Sequence, residues 1–276
     1  MKFAVCNELF GSMPLEEAAL VVGRHGFAGV EIAPFTVFGD FSPGAVRAGL
    51  RSARAALAAA GLEFAGFHWL FSKPDGLHIT TPDRALREKS WGHLRRLIEA
   101  AGELGGGNLV LGSPKQREPV AGQSVEEAVA ILTDELAAIA PFAAAHRSPI
   151  LLEALSSDQT RVVNLLSESQ SIVEKVNHPG VGGMFDFHNC ADESSPWEAL
   201  IERFFGLIGH VHLNDPRGNA PTPGDAAFAP AFSRLAGLGY DGWVSLEIFS
   251  VPGDPEATIA QTAAFLRNVA GRAPGG

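Results

Sequence analysis

Two patterns of apolar and polar residues alternate along this chain. Short apolar runs fall at Phe3–Cys6, Gly29–Ile32, Phe64–His68, Asn108–Leu111, Ile150–Glu153, Gly182–Asp186, Ile208–His212 and Trp243–Glu247. They are rich in Val, Leu, Ile and Phe, which predicts strands buried on both faces. Longer stretches with helical spacing lie between them: Pro14–His25, Pro43–Ala60, Asp83–Leu104, Ser124–His146, Gln159–Val176, Pro196–Phe205, Ala227–Leu238 and Pro255–Val269. Local punctuation supports these boundaries. Ser12 is a candidate N-cap ahead of Pro14, with Glu16 and Glu17 in the first turn. Ser124 and Glu127 have capping-box spacing, and Gly61 and Gly105-Gly106-Gly107 are helix stops.

Strands alternating with helices imply right-handed βαβ units and a parallel sheet. Eight units with no remainder favour a closed (β/α)8 TIM barrel over an open sheet. The 276 residues suit one barrel, so residues 1–276 are expected to form a single domain with a frayed Gly271–Gly276 tail. No GxGxxG follows the first strand, which counts against a dinucleotide-binding fold.

Composition narrows the setting. The two cysteines, Cys6 and Cys190, lack CxxC spacing, which argues against a disulfide framework or zinc ribbon and suits a reducing compartment. The N-terminus is a poor signal peptide, and no uninterrupted apolar run approaches the ~18 residues of a membrane span. A cytoplasmic protein with no membrane partner is expected. A net charge of −10 without a Lys/Arg run disfavours nucleic acid as a partner.

Barrel enzymes carry their active groups at the C-terminal ends of the strands. There the fifth to eighth strands end in Glu153, in Asp186 and His188, in His210, His212, Asn214 and Asp215, and in Glu247. A charged group at the end of an apolar strand is costly without a partner. A lone Glu there is usually solvated, and a lone His usually hydrogen-bonded in the core. Four on consecutive strands point to a shared site. Three converging carboxylates repel one another, and a divalent cation removes that cost. Glu153, Asp186, His212 and Glu247 are therefore the expected ligands of one metal ion. Mn²⁺ comes first, with Mg²⁺, Co²⁺ or Zn²⁺ as alternatives. His210 is read as pointing away from His212, in a structural role. Glu31, His68 beside Trp69, and Lys115 and Arg117 after the fourth strand are further candidates for the mouth. The cations there, with Lys73, are candidates to bind a phosphate or carboxylate.

The order Glu, Asp, His, Glu, with the phrases GVEIAPF, LVLGSPKQR, LLEALSSDQT, MFDFHN, HVHLNDPRG and GYDGWVSLEIF, resembles the xylose-isomerase-like TIM-barrel superfamily. Sugar isomerases and epimerases such as ketose 3-epimerases, hydroxypyruvate isomerase and inosose dehydratase belong to it. The resemblance implies that Glu153 and Glu247 also transfer protons, on opposite faces of a sugar, and that His188 and Arg217 contact substrate oxygens. It also implies a small-molecule sugar substrate and a homodimer or homotetramer.

The chain departs from the epimerase pattern in two places. Only Phe187 separates Asp186 from His188, and Gln159 stands where the epimerases carry a Glu. Strand four ends in Gly112-Ser113, and Asp225 has no nearby His, which argues against the trinuclear site of the related endonucleases. The expected activity is a metal-dependent sugar isomerase or epimerase acting through an enediolate. The alternatives are a keto-sugar dehydratase or keto-glycoside lyase on the same site, and a non-catalytic sugar-binding barrel.

Overall fold

Eight parallel strands pair in sequence order and close on themselves. They are β1 (Lys2–Cys6), β2 (Gly29–Ile32), β3 (Glu63–Phe67), β4 (Asn108–Leu111), β5 (Ile150–Leu152), β6 (Val181–Asp186), β7 (Ile208–Leu213) and β8 (Trp243–Leu246). Closure is made by β1 against β8, with Lys2 opposite Trp243 and Val5 opposite Leu246. This computed structural model describes residues 1–222, 224–250 and 253–270, so the expected frayed tail lies outside the described residues.

The helices are α1 (Leu15–Arg24), α2 (Pro34–Val37), α3 (Pro43–Ala60), α4 (Arg84–Glu103), α5 (Pro114–Arg117), α6 (Val125–Ala145), α7 (Leu166–Val176), α8 (Trp197–Phe204), α9 (Ala229–Gly237) and α10 (Pro255–Ala270). Of these, α2 and α5 are single turns in the loops after β2 and β4. Short 3₁₀ turns at Asn7–Phe10 and Asn189–Asp192 follow β1 and β6. The capping box forms at α6, where Ser124 accepts from the Glu127 amide and Glu127 from the Ser124 amide. By length and composition α6 is apolar enough to cross a membrane. Here it lies on the barrel flank, with Leu132, Leu136 and Ile139 buried.

Two expected helix starts are corrected. Pro14 stands at the N-cap of α1 and no side chain caps it, so Ser12 does not serve there. α7 begins at Leu166 rather than Gln159, because polar side chains satisfy the backbone locally. Asn164 donates to the Leu155 and Thr160 carbonyls, and Thr160 donates to Glu118.

The main core lies between the sheet and the helices. At β6 it is aromatic: Phe187 meets Phe185, Trp197 and Phe228 at ring separations of 5.0, 4.8 and 5.0 Å. With Phe185 and Phe187 packed into this layer, the intervening Asp186 points into the barrel. A smaller apolar cluster consists of Val110, Leu151 and Met184.

Candidate metal centre and active site

Strand pairing sets Asp186 beside His212, and His212 beside Ser245, two residues before Glu247. Glu153 follows β5. The structure thus brings Glu153, Asp186, His212 and Glu247 together, with one ligand atom from each within 4.8 Å of the others. His212 Nδ1 lies 3.0 Å from Glu247, 3.6 Å from Asp186 and 4.0 Å from Glu153. All four residues are buried.

The far side of His212 fixes how it is used. Its Nε2 lies 3.1 Å from a Glu31 oxygen, which can only accept, so Nε2 carries the proton. Nδ1 faces the three carboxylates and is buried without a hydrogen-bond partner. Burial alone would lower the His212 pKa, but Glu247 and Glu31 raise it well above the usual histidine value, and a bound cation would take the place of the Nδ1 proton. A histidine that ligates a metal is commonly anchored this way, its second nitrogen held by a carboxylate. The donor set and the orphaned Nδ1 fit a divalent cation.

Glu31 is fully buried between His212 and His210, whose Nε2 is 2.8 Å from its other oxygen. This overturns two expectations. Residues two apart on a strand share a face, so His210 and His212 point the same way, and Glu31 lies beneath the site rather than at the mouth. Burial alone would raise the Glu31 pKa, but His210 and His212 hold it well below the carboxylate range.

The carboxylates are also braced. Asn189 donates its side-chain amide to Glu153 at 3.0 Å and its backbone N–H to Asp186 at 2.9 Å. Asn214 donates to the other Asp186 oxygen at 3.3 Å. Burial pushes the Glu153 pKa well up, reinforced by Asp186 and Glu247. Burial raises Asp186 too, but His212 and the two asparagines outweigh it and keep Asp186 low. A side chain at Gly112 would run into the Glu153 carboxylate, so the end of strand four must be bare.

A cavity of about 510 Å³ opens above this cluster, with Glu153 and Glu247 in its floor. His68, Lys115 and His188 line it, as does Gln159. His188 donates Nδ1–H to the Pro216 carbonyl at 2.9 Å and stands edge-on to Phe249. His68 is held by Glu8 at 2.7 Å. Gln159 donates to Asn189, and so supports a residue that holds Glu153.

Two expected substrate contacts do not reach the cavity. Arg117 is fully buried, and its guanidinium lies on the carbonyls of Glu153 (2.8 Å), Val163 (3.3 Å) and Leu111 (3.5 Å). It faces the barrel because α5 turns it inward while leaving Lys115 on the wall. Arg217 is largely exposed, pairs with Asp215 at 3.1 Å and is absent from the cavity walls. Lys73 is likewise paired, with Asp75 at 2.9 Å.

Asn189 and Glu8 were not legible as site residues. Asn189 could be sought directly after the strand-six motif. Glu8 has no local signal, because its partner His68 lies on a distant strand.

The family model for xylose isomerase-like TIM barrels matches residues 19–269. The chain is 27% identical over 185 residues to 3-dehydro-D-guloside 4-epimerase of Escherichia coli, covering 63% of this chain and 69% of that protein. It is 26% identical over 276 residues to a putative hydroxypyruvate isomerase of Streptomyces coelicolor, covering 94% and 92%. Ketose 3-epimerase of Arthrobacter globiformis is 24% identical over 228 residues, covering 81% and 74%. Among solved structures, 3-keto-D-glucoside 4-epimerase from E. coli superposes with a TM-score of 0.81 at 22% identity, covering 97% of this chain and 99% of that one. That likeness matches the closed barrel described above. With the family model spanning almost the whole barrel, this chain belongs to the xylose isomerase-like TIM-barrel family.

Proposed function

We propose that this protein is a sugar isomerase or epimerase that removes and returns a proton beside a carbonyl group. The observation that carries the reading is the buried Glu153–Asp186–His212–Glu247 cluster under an open cavity. Relatives named as a guloside 4-epimerase, a ketose 3-epimerase and hydroxypyruvate isomerases support it.

These four residues would hold one divalent cation, Mn²⁺ by preference. Bound there, it would supply positive charge to offset the charge that develops on the substrate's oxygens. The proton chemistry falls to Glu153 and Glu247, which reach the cavity floor from β5 and β8. One takes the proton next to the carbonyl and leaves an enediolate. The other returns a proton, to the same carbon in epimerisation or to its neighbour in isomerisation. His188, His68 and Lys115 orient substrate hydroxyls.

The cations argue for an unphosphorylated sugar. Arg117 is committed to backbone carbonyls, Lys73 to Asp75 and Arg217 to Asp215. Lys115 lines the cavity together with Asp75 and Asp158, which would repel a phosphate.

The test is deuterium wash-in. Metal-loaded protein is incubated in D₂O with ketoses and keto-glycosides, and exchange beside the carbonyl is followed by NMR. Exchange with a new sugar product is expected. Exchange accompanied by release of the aglycone would assign elimination instead. No exchange into any keto-sugar would overturn the reading.

A further inference from the structure

A second cavity of about 310 Å³ adjoins the first, and the two share Trp69 and Phe249 as walls. We propose that this second chamber is an aglycone subsite. It takes an apolar, ring-sized group joined to the reacting sugar, so the substrate is a neutral keto-glycoside rather than a free ketose. The inference rests on the proton-transfer reading above and names its substrate class.

The two chambers differ in chemistry. The first presents His68, Lys115, Gln159 and His188, groups that suit sugar hydroxyls. The second is walled by Phe35, Trp69, Ile248 and Phe249, with Glu8 as its charged residue. One Glu8 oxygen is already held by His68. A ligand polar at one end and apolar at the other matches the pair. Thr36 and Ser250 also line it, but the Thr36 hydroxyl already accepts from Asn7 and donates to the Ala33 carbonyl. A second sugar ring would therefore meet Glu8 and Ser250 as its polar side chains there.

The shared aromatic walls are built in place. Trp69 is 44% exposed and Phe249 45%, a costly display for large apolar side chains without a ligand to cover them. Trp69 also holds a left-handed backbone, φ 54°, which a bulky residue rarely adopts and which clusters at ligand sites. Phe249 donates its N–H to the Gly218 carbonyl at 3.0 Å, and its ring lies where a side chain on Gly218 would be. Gly218 itself has φ 76°, so glycine is required there on both counts. Two fixed aromatic faces between a polar and an apolar chamber make a platform for the glycosidic junction.

The experiment compares matched keto-glycosides with phenyl and methyl aglycones, in both anomers, and a free ketose. All are titrated calorimetrically into metal-loaded protein. The phenyl glycoside should bind on the order of tenfold tighter than the methyl glycoside. Phe35→Ala should shrink that ratio to about twofold while leaving methyl-glycoside affinity unchanged, because Phe35 lines the second chamber alone. Its melting temperature reports that the fold is kept. Equal affinity for the phenyl and methyl glycosides, or tighter binding of a keto-disaccharide than of either, overturns the subsite and leaves the sugar chemistry standing. No binding or turnover of any keto-sugar overturns the sugar chemistry, and the subsite with it.

Discussion

The two halves of the barrel divide the work unequally. Strands β5 to β8 supply the four clustered side chains that could hold a cation, each from a strand end. Strands β1 to β4 supply none of them, yet two of the groups that brace them, Glu31 and Arg117, come from this half, beside Asn189 and Asn214 from the other. Glu31 on β2 fixes His212 from below, and His68 after β3 bonds to Glu8 after β1. Arg117 after β4 braces the Glu153 backbone. One half gathers the carboxylates and the histidine of the cluster, and the other adds buried charged groups, Glu31 and Arg117, that support them. Substitutions in the two halves should therefore fail differently, the first in turnover and the second in metal affinity or stability.

The largest expected effect is in the reactive half. Glu153→Gln and Glu247→Gln should each lower kcat about 10³-fold on the best keto-sugar, measured by steady-state kinetics. Full activity in either variant would remove the two-base mechanism. Next is Arg117→Met, expected to cost about 4 kcal/mol in urea unfolding, since it strands buried carbonyls and removes a positive charge that offsets Glu153. Unchanged stability with weaker binding of a sugar phosphate would return Arg117 to the cavity wall.

The pH profile of stability tests the supporting half a second way. His93 on α4 is buried against Phe41 and Phe71, bonds the Leu70 carbonyl, and has its pKa pulled down to about 4 by burial. As pH falls, the unfolded chain takes up this proton near 6.5 while the folded chain resists it until about 4. Stability is therefore full above 6.5 and declines between 6.5 and 4, by up to about 3 kcal/mol from this residue. Thermal melts across that window should show a shallower slope for His93→Gln. Parallel slopes would mean that another group sets the acid limit. The smallest effect is Glu31→Gln, which should weaken metal binding roughly 10–100-fold in chelator competition while kcat at saturating metal changes little. Unaltered metal affinity would break the link between the two halves.

How much of this was legible in the sequence follows the same division. All eight strands could be found because each is an apolar run between turn signals, and Gly29–Ile32 and Asn108–Leu111 match residue for residue. The Glu153–Asp186–His212–Glu247 cluster was legible because charge at the end of such a run is conspicuous. The supporting half was not, because its meaning lies in partners far away in sequence. Glu31 meets His212 across the barrel, and Glu8 meets His68 across two strands. Arg117 was misplaced for a local reason. Four residues after Ser113 fold into one helical turn, and that turn decides which of Lys115 and Arg117 faces the cavity. The error over His210 was one of periodicity, since a spacing of two keeps a side chain on the same face.

Arg117 links parts that would otherwise move separately. Its backbone belongs to the turn that presents Lys115 and Gln116 to the cavity, while its guanidinium grips the Glu153 and Val163 carbonyls. The cavity wall and the carboxylate proposed to handle the proton thus hang from one crossbar. Redesigning the wall for a new substrate by inserting or deleting a residue in Pro114–Arg117 would shift the base along with it. Changes of specificity that spare the chemistry must come from loops not tied to this crossbar, such as the turn that carries Phe35.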